Sequence, residues 1–306
     1  MLIRRDAIGA ILGMMVGACA AGRGLTDNAP VNSNALAHLE NRAGGRLGAC
    51  VLDTRSGSGF GWRMHERFAH CSSFKLSLAA MTLGRGESGE VDLAKVLRWS
   101  QDDLITYSPI TEAHVNSGLS LRDLARAALV ASDNTAANLL LDYFGGPSAL
   151  TEFWRSIGDD VSRLDRYEPE LNLVPDGTEL DTTSPFAMAR TVNELLFGNS
   201  QHEEVRSQIR AWMMEVKTGL NRLRAGFPED WVAGDKTGTG IHETRQTYVD
   251  LAFGGPVDRK PIVVAAYFEP HLPAKAFAPD ILGVLAEVGR IAASETRDPR
   301  VRDVFG

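Results

Sequence analysis

Residues 231–268 read WVAGDKTGTGIHETRQTYVDLAFGGPVDRKPIVVAAYF, and this stretch decides the fold. It holds three runs rich in apolar and β-branched residues, Trp231–Gly238, Thr247–Phe253 and Pro261–Phe268. Runs of this length, separated by short polar or Gly-Pro segments, are typical of β-strands. Because the connections are too short for a crossover helix, the three strands are predicted to pair antiparallel.

Two further strand patterns lie nearer the other end of the chain. An amphipathic helix pattern over Asn34–Arg42 precedes the apolar run Arg46–Leu52, which is strand-like. The turn Ser56–Gly59 then leads to a short strand around Phe60–Trp62. Five strands divided between the two chain ends predict one antiparallel sheet.

The residues between the two sets of strands, from Ser73 to Phe197, have helical patterns instead. Ser120 and Asp123 form a capping box before an apolar helical face, and a last helix is expected over about Ala278–Ala293. The predicted fold class is α/β (α+β), with a five-stranded antiparallel sheet flanked by helices and an all-helical domain.

This pattern also predicts a division into domains. Residues 30–66 and 215–306 are assigned to the sheet domain and residues 67–214 to the all-α domain. The active site is expected at their interface, where the helical insertion meets the edge strand Val232–Gly238.

Composition excludes some classes of function. The chain has 306 residues, 44% of them hydrophobic, and a net charge of −7 with no basic run. Such a chain can form a sizeable core but lacks the positive charge that nucleic acids or anionic membranes attract. No obligate protein partner is indicated, so a monomer is expected.

The first 21 residues match a secretory signal peptide. Arg4 and Arg5 precede the apolar stretch Ala7–Val16, which is too short to span a membrane, and small residues follow. The protein is therefore expected to be exported to the periplasm. An N-terminal core helix, a twin-arginine route and a lipoprotein site with cleavage before Cys19 are the alternatives, and the last would leave a lipid anchor there.

The chain has only three cysteines, Cys19, Cys50 and Cys71. Cys50 and Cys71 could pair, but the sequence does not show whether they meet. Buried free thiols are the expected state.

Hydroxyl, lysine, carboxylate and amide side chains concentrate in four fragments: Ser72-Ser73-Phe74-Lys75, Ser132-Asp133-Asn134, Arg166–Asn172 and Lys236-Thr237-Gly238-Thr239. Ser72 and Lys75 are three residues apart before an apolar helical run, so they share a helix face. A serine needs a neighbouring base to attack a substrate. Glu168 and Asn172, four positions apart in a loop, can hold one water for general-base catalysis.

In this order, the four fragments resemble the class A serine β-lactamases, over nearly all of the chain beyond the leader. The resemblance implies the β-lactamase/transpeptidase-like fold and hydrolysis of penicillins and cephalosporins, with carbapenems as a further class. The reaction is expected to pass through an acyl-enzyme on Ser72. The implied catalytic residues are Ser72, Lys75, Ser132 and Glu168. Whether Lys75, Glu168 or both accept the Ser72 proton is left open.

The resemblance also assigns substrate contacts and structural roles. Its implied substrate-binding residues are Asn134, Asn172, Lys236, Thr237, Thr239, Tyr107 and Arg245. The backbone N–H groups of Ser72 and Thr239 are expected to form the oxyanion hole. Arg245 or, as an alternative, Arg224 is expected to bind the substrate carboxylate. Arg166 and Asp181 are expected to pair at the ends of the Glu168 loop, and a cis bond is expected at Glu168-Pro169.

Two features of the sequence require a choice. Lys-Thr-Gly occurs at Lys217 and again at Lys236; the first ends a helical run, whereas the second lies on a strand and is chosen as the site. Some relatives bond the cysteine before the nucleophile to one after Lys-Thr-Gly-Thr. Here that second position is Gly240, so Cys71 cannot form the bridge.

Metal and cofactor chemistry have no support in the sequence. The seven histidines form no His-x-His or His-x-x-x-His pair, and no Gly-rich phosphate loop follows a strand. The main rival is a D,D-peptidase or penicillin-binding protein that β-lactams acylate without turnover. Glu168 and Asn172 argue against it, because a stable acyl-enzyme needs no hydrolytic base.

Overall fold

The structure, a computed structural model, describes residues 32–297. The leader expected over residues 1–21, with Cys19, lies outside the described residues. None of the helices described is both long enough and apolar enough to cross a membrane.

The central feature is an antiparallel sheet of five strands. The strands of the described chain are β1 (Gly45–Asp53), β2 (Gly59–Trp62), β3 (Phe68–Ala69), β4 (Val96–Leu97), β5 (Leu119–Ser120), β6 (Thr182–Thr183), β7 (Val232–Ile241), β8 (Gln246–Gly255) and β9 (Ile262–Pro270). The sheet has the order β2-β1-β9-β8-β7, while β3 pairs with β6 and β4 with β5. The five-stranded antiparallel sheet predicted from the sequence is confirmed.

Helices cover both faces of this sheet. They are α1 (Asn32–Ala43), α2 (Lys75–Glu87), α3 (Leu121–Val130), α4 (Asn134–Tyr143), α5 (Pro147–Ser156), α6 (Pro185–Phe197), α7 (Glu203–Glu215), α8 (Leu223–Gly226) and α9 (Pro279–Arg297). The predicted cap of α3 is present, since Ser120 Oγ accepts the Asp123 N–H, and Ser184 Oγ caps α6 in the same way by accepting the Ala187 N–H.

Strand β8 shows how the sheet separates two hydrophobic cores. Tyr248 and Ala252 face the terminal helices α1 and α9, whereas Val249, Leu251 and Phe253 face the helices between β3 and β7. Successive side chains of a strand point to opposite faces, so this alternation places one buried layer on each side. The division into two domains at residues 66/67 and 214/215 stays a prediction.

Helix α2 is surrounded by protein. Its residues from Lys75 to Leu83 are all buried, in a core that includes Trp154 and Leu129. A helix enclosed on every side excludes water from its first turn. Lys75 is therefore held in a low-dielectric environment directly after Ser72.

Two boundaries differ from the sequence predictions in ways that matter for the site. The apolar run after Ser72 begins as a 3₁₀ turn, Cys71–Phe74, before α2 starts at Lys75. Strand β7 continues to Ile241, three residues beyond the predicted end, because Thr239, Gly240 and Ile241 also pair with β8. The connecting turn is thereby reduced to residues 242–245.

Candidate active site

Ser72 and Lys75 meet at the start of α2, as their spacing predicts. Lys75 Nζ lies 2.9 Å from Ser72 Oγ, and the lysine is fully buried. Burial lowers the pKa of Lys75, while the nearby negative charge of Glu168 opposes this shift. A lysine in this setting can exchange a proton with the serine hydroxyl.

Glu168 completes a compact cluster around the Ser72 hydroxyl. Ser72 Oγ donates to Glu168 Oε1 at 2.9 Å, and Lys75 Nζ lies 3.0 Å from the same oxygen. The other carboxylate oxygen accepts a hydrogen bond from Asn172 Nδ2 at 2.5 Å. One carboxylate thus faces the nucleophile with one oxygen and the loop amide with the other.

Asn138, on α4, fixes the backbone of this glutamate. Its Oδ1 accepts the Glu168 N–H at 3.0 Å, and its Nδ2 donates to the Glu168 carbonyl at 2.9 Å. The bond from Glu168 to Pro169 is cis, as expected. Sequence reasoning missed Asn138, because an asparagine within a helix has no local signal for a partner thirty residues away.

The ends of the Glu168 loop are tied together by Arg166 and Asp181. Arg166 Nε lies 2.6 Å from Asp181 Oδ2, and the other carboxylate oxygen accepts the backbone N–H groups of Asp165 and Arg166. Asp181 is fully buried and has a φ of 56°. We call residues 166–181, closed by this pair, the Glu168 loop.

Ser132 lies between the two buried lysines. Its carbonyl accepts from Lys75 Nζ at 2.9 Å, and its Oγ accepts from Lys236 Nζ at 3.0 Å. Asn134 follows, with Oδ1 on Lys75 Nζ and Nδ2 donating to the Thr106 carbonyl at 2.8 Å. Ser132 has a φ of 58°, which turns its hydroxyl out of the helical path between α3 and α4.

Strand β7 brings the last fragment to the nucleophile. Burial and the charge of Lys75 lower the pKa of Lys236 to about 7. Gly238 allows the close approach, because a Cβ there would lie only 2.8 Å from the His70 carbonyl oxygen and 3.0 Å from the Ser73 nitrogen. The strand therefore lies directly against the turn that carries Ser72.

The second Lys-Thr-Gly also contributes to this region. Thr218 Oγ1 lies 2.7 Å from Thr237 Oγ1, although Lys217 beside it is exposed. The structure therefore places Lys236, and not Lys217, against Ser132. Sequence reasoning assigned the first motif only to the end of a helix and missed the Thr218 contact.

The contacts of Arg245 and Arg224 do not support the substrate-binding roles expected from the sequence. Arg245 lies in the β7–β8 turn, where its guanidinium donates to the Val174 carbonyl and to Asp176. Arg224 Nε lies 2.5 Å from the buried Asp235. Arg245 lies in the turn 242–245, directly before Gln246, the first paired residue of β8.

Arg222 is an arginine that contacts strand β7 directly at the candidate site. It is buried, and it donates to Thr239 Oγ1 at 2.6 Å and to the Gly238 carbonyl at 2.9 Å. No local pattern distinguishes it in the sequence, since its partners lie on β7 and β8. Its positive charge therefore lies beside Thr239, one of the predicted substrate-binding residues.

Tyr107 lies at the rim. Its side chain is 55% exposed and its φ is 65°, so it lies on the surface and not in the core. Its backbone carbonyl accepts the Asn134 N–H at 3.0 Å, which ties this rim segment to the Ser132 turn.

Cys50 and Cys71 are both buried and are not joined by a disulfide, as expected. Burial raises the pKa of the Cys71 thiol. Within the described residues, the side chains that could together hold a metal ion are exposed and lie on the surface, at Glu87, His202 and Glu204.

The arrangement is that of a serine hydrolase of the acyl-enzyme type, and comparison with known proteins identifies its family. A family model described as the beta-lactamase enzyme family matches residues 32–295. The chain belongs to this family, and its relatives place it in class A.

The similar proteins are named β-lactamases, and each matches most of this chain. Beta-lactamase OXY-2 of Klebsiella oxytoca is 44% identical to this chain, and the match covers 78% of this chain and 82% of OXY-2. Beta-lactamase FAR-1 of Nocardia farcinica is also 44% identical, and the match covers 75% of this chain and 72% of FAR-1. A solved ancestral class A β-lactamase is 48% identical, with a TM-score of 0.81, and covers 86% of this chain and 99% of its own. These matches confirm the fold, the family and a β-lactam hydrolase activity, and they do not favour the penicillin-binding rival.

Proposed function

We propose that this chain hydrolyses penicillins and cephalosporins through an acyl-enzyme on Ser72. The observation that carries the proposal is the position of the Ser72 hydroxyl, 2.9 Å from both Lys75 Nζ and Glu168 Oε1. A serine between two groups that can take its proton is set up for attack on a carbonyl.

Acylation begins at the Ser72 hydroxyl. The Ser72 oxygen attacks the lactam carbonyl carbon, and its proton passes to Lys75, to Glu168, or to both in turn. The backbone N–H groups of Ser72 and Thr239 stabilise the developing oxyanion. As the ring carbon–nitrogen bond breaks, Ser132 delivers a proton to the nitrogen and takes up in its place the proton that left Ser72, while Lys236 holds the Ser132 hydroxyl in place.

Deacylation uses the Glu168 loop. A water held between the Glu168 carboxylate and the Asn172 amide loses a proton to Glu168 and attacks the acyl-enzyme carbonyl. The ester bond to Ser72 breaks, and the serine oxygen recovers a proton from the Lys75–Glu168 pair. General-base catalysis of this kind typically contributes about 10²–10⁴-fold.

Substrate recognition is assigned to the walls around Ser72. Lys236, Thr237 and Thr239 bind the carboxylate of the substrate, with Arg222 adding positive charge behind Thr239. Asn134 and Asn172 contact the acylamino side chain, and Tyr107 forms an exposed aromatic wall.

The first experiment is to mix the mature protein with excess benzylpenicillin and count product molecules per enzyme from the absorbance of the ring. Many turnovers are expected. A burst of about one equivalent that then stops would mean that Ser72 acylates without release, and the penicillin-binding alternative would replace this proposal.

Export to the periplasm is the proposed localisation, with a signal peptide in residues 1–21 and Cys19 as the residue to be lipidated if the leader is a lipoprotein signal. The mature protein is proposed to act as a monomer. Fractionation of cells that express the full chain, followed by mass measurement of the mature N-terminus with and without Cys19→Ala, tests both the cleavage and the lipid.

A further inference from the structure

One guanidinium links the β7–β8 turn to the Glu168 loop. Arg245 Nη1 donates to the Val174 carbonyl at 3.0 Å, and Nη2 donates to Asp176 Oδ1 at 2.7 Å. Both side-chain hydrogen bonds that join this hairpin to the loop, within residues 32–297, are made by Arg245. Two bonds from one planar group fix the distance between the two segments.

Next to this link, the hairpin and the loop are already in contact. A Cβ at Gly240 would lie 2.6 Å from the Asn172 carbonyl oxygen and 3.1 Å from Cys71 Sγ. The loop backbone therefore rests on the end of β7, directly beside the residue that precedes Ser72. Any widening here requires the loop and the hairpin to move apart.

Asn172, whose carbonyl faces Gly240, places the contact between the loop and β7 beside the proposed position of the substrate side chain. This step rests on the proposed function, in which Asn134 and Asn172 contact the acylamino group. A side chain that continues beyond that amide would meet the edge where Asn172 lies against Gly240. A wide, branched substituent needs more room there than the narrow benzyl group of benzylpenicillin.

We propose that Arg245 is a positioning residue that holds the Glu168 loop against the β7–β8 hairpin and so limits the width of the acyl side chain that the enzyme accepts. The two bonds differ in strength. Asp176 has a side chain that is 94% exposed, so water and salt screen its ion pair with Arg245. The bond to the carbonyl of the buried Val174 is the stronger restraint.

The test compares Arg245→Ala, Arg245→Lys and Asp176→Ala with the parent enzyme on benzylpenicillin and on ceftazidime, whose side chain is branched. Values of kcat and KM are measured for each pair. Arg245→Ala is expected to raise the ceftazidime-to-benzylpenicillin ratio of kcat/KM by about three- to tenfold, the range of one or two lost hydrogen bonds. Asp176→Ala is expected to shift the ratio in the same direction by about twofold or less.

Matched controls separate this effect from a general loss of structure. Arg245→Lys keeps the positive charge but has a single donating nitrogen in place of the planar fork, and it is expected to restore part of the parent ratio. Arg259→Ala removes an exposed arginine from the β8–β9 turn and is expected to leave the ratio unchanged. Hydrogen exchange at residues 172–178 is expected to be faster in Arg245→Ala than in Arg259→Ala.

Three results would overturn the proposal. If Arg245→Ala raises KM equally for both substrates and Asp176→Ala has no effect, Arg245 binds the substrate carboxylate directly. If the parent enzyme turns over benzylpenicillin and the ratio does not move in Arg245→Ala, the link does not control width. If the parent turns over neither substrate, the proposed function has failed, and the specificity role fails with it.

Discussion

The Ser72 hydroxyl lies between a buried cation and a buried carboxylate, and each has a different part in the cycle. Lys75 and Glu168 both touch Ser72 Oγ, but only Glu168 also binds the Asn172 amide. Glu168, which contacts both the serine and the loop amide, is therefore the group that can hold a water for deacylation.

Glu168→Ala is expected to slow deacylation by about 10²–10⁴-fold, because the carboxylate that takes the water proton is gone. Acylation through Lys75 continues, so an acyl-enzyme accumulates. Intact-protein mass spectrometry after mixing with benzylpenicillin measures it. The control is Glu170→Ala, an exposed neighbour that should keep the parent rate. Steady turnover by Glu168→Ala at the parent rate would remove this assignment.

Lys236 should give substrate binding a pH dependence near neutrality. Its pKa is about 7, lowered from the ordinary lysine value by burial, so its positive charge is lost as the pH rises through 7. KM for benzylpenicillin should then rise above pH 7, toward a limit of about tenfold per pH unit. Lys236→Arg keeps its charge throughout and should flatten the profile. Lys217→Arg, at the other Lys-Thr-Gly, should leave the pH profile of KM as it is in the parent. An unchanged profile in Lys236→Arg would show that a group other than Lys236 titrates.

At the scale of elements, the site depends on how closely strand β7 approaches the turn Cys71–Phe74. Gly238 is the contact point. The Glu168 loop is tied to the residue just before this turn, since the His70 N–H donates to the Asp181 carbonyl at 3.0 Å. Three elements therefore meet around one short turn, and each can be displaced separately.

Gly238→Ala should push β7 away from the nucleophile, since its Cβ would meet backbone atoms of His70 and Ser73. A displacement of the oxyanion and carboxylate-binding groups by a fraction of an ångström is expected to lower kcat/KM by about 10- to 100-fold. Gly283→Ala is the control, because a Cβ on that residue of α9 meets nothing within 4 Å. Steady-state kinetics of the two variants, with equal far-ultraviolet spectra, make the comparison.

Asp181→Ala should loosen the Glu168 loop. It leaves the backbone N–H groups of Asp165 and Arg166 without their acceptor, at a cost of about 1–3 kcal/mol in the free energy of unfolding. Chemical denaturation measures the loss. Glu179→Ala, which removes a more exposed partner of Arg67, should cost much less. Equal losses in both variants would contradict a special role for the buried pair.

The sequence predicted the elements better than it predicted their contacts. Strands with alternating or continuous apolar residues, and helices with caps, carry local signals, and so do motifs such as Ser72–Lys75. Arg222 and Asn138 act on partners that are distant in sequence, and a residue type alone does not reveal them. The contacts of Arg245 with Val174 and Asp176 also join residues distant in sequence, and its substrate-binding role stays a prediction. The end of β7 was placed too early, because Thr239 to Ile241 gave no sign that pairing would continue through them.

At the scale of the whole molecule, one buried histidine links stability to pH. His70 is fully buried and its ring is stacked on Trp154, with centroids 4.7 Å apart. Burial lowers the pKa of His70 to about 4. In the unfolded chain a histidine takes up its proton near pH 6.5. Between these values the unfolded state binds more protons, so stability falls as the pH is lowered from about 6.5 to 4.

His70→Phe should remove this loss while keeping the aromatic stack. The free energy of unfolding of the parent should fall from pH 7 to pH 5 by about 2 kcal/mol more than that of His70→Phe. Urea denaturation at the two pH values measures the difference. His65→Phe, at an exposed position, should behave like the parent. If the free energy of unfolding falls equally in the parent and in His70→Phe, carboxylates alone cause the loss of stability at acid pH.

The strand order has a consequence for how the molecule is made. β9 lies between β1 and β8, so β1 and β2 cannot join the rest of the sheet until β9, the last strand to be synthesised, is available. A nascent chain that ends before residue 262 already carries Ser72 and Lys236 but has no central strand to hold the two halves together. Its early strands then lie open to wrong partners during translation. The chain can therefore become an active hydrolase only after β9 has been synthesised, near the end of translation.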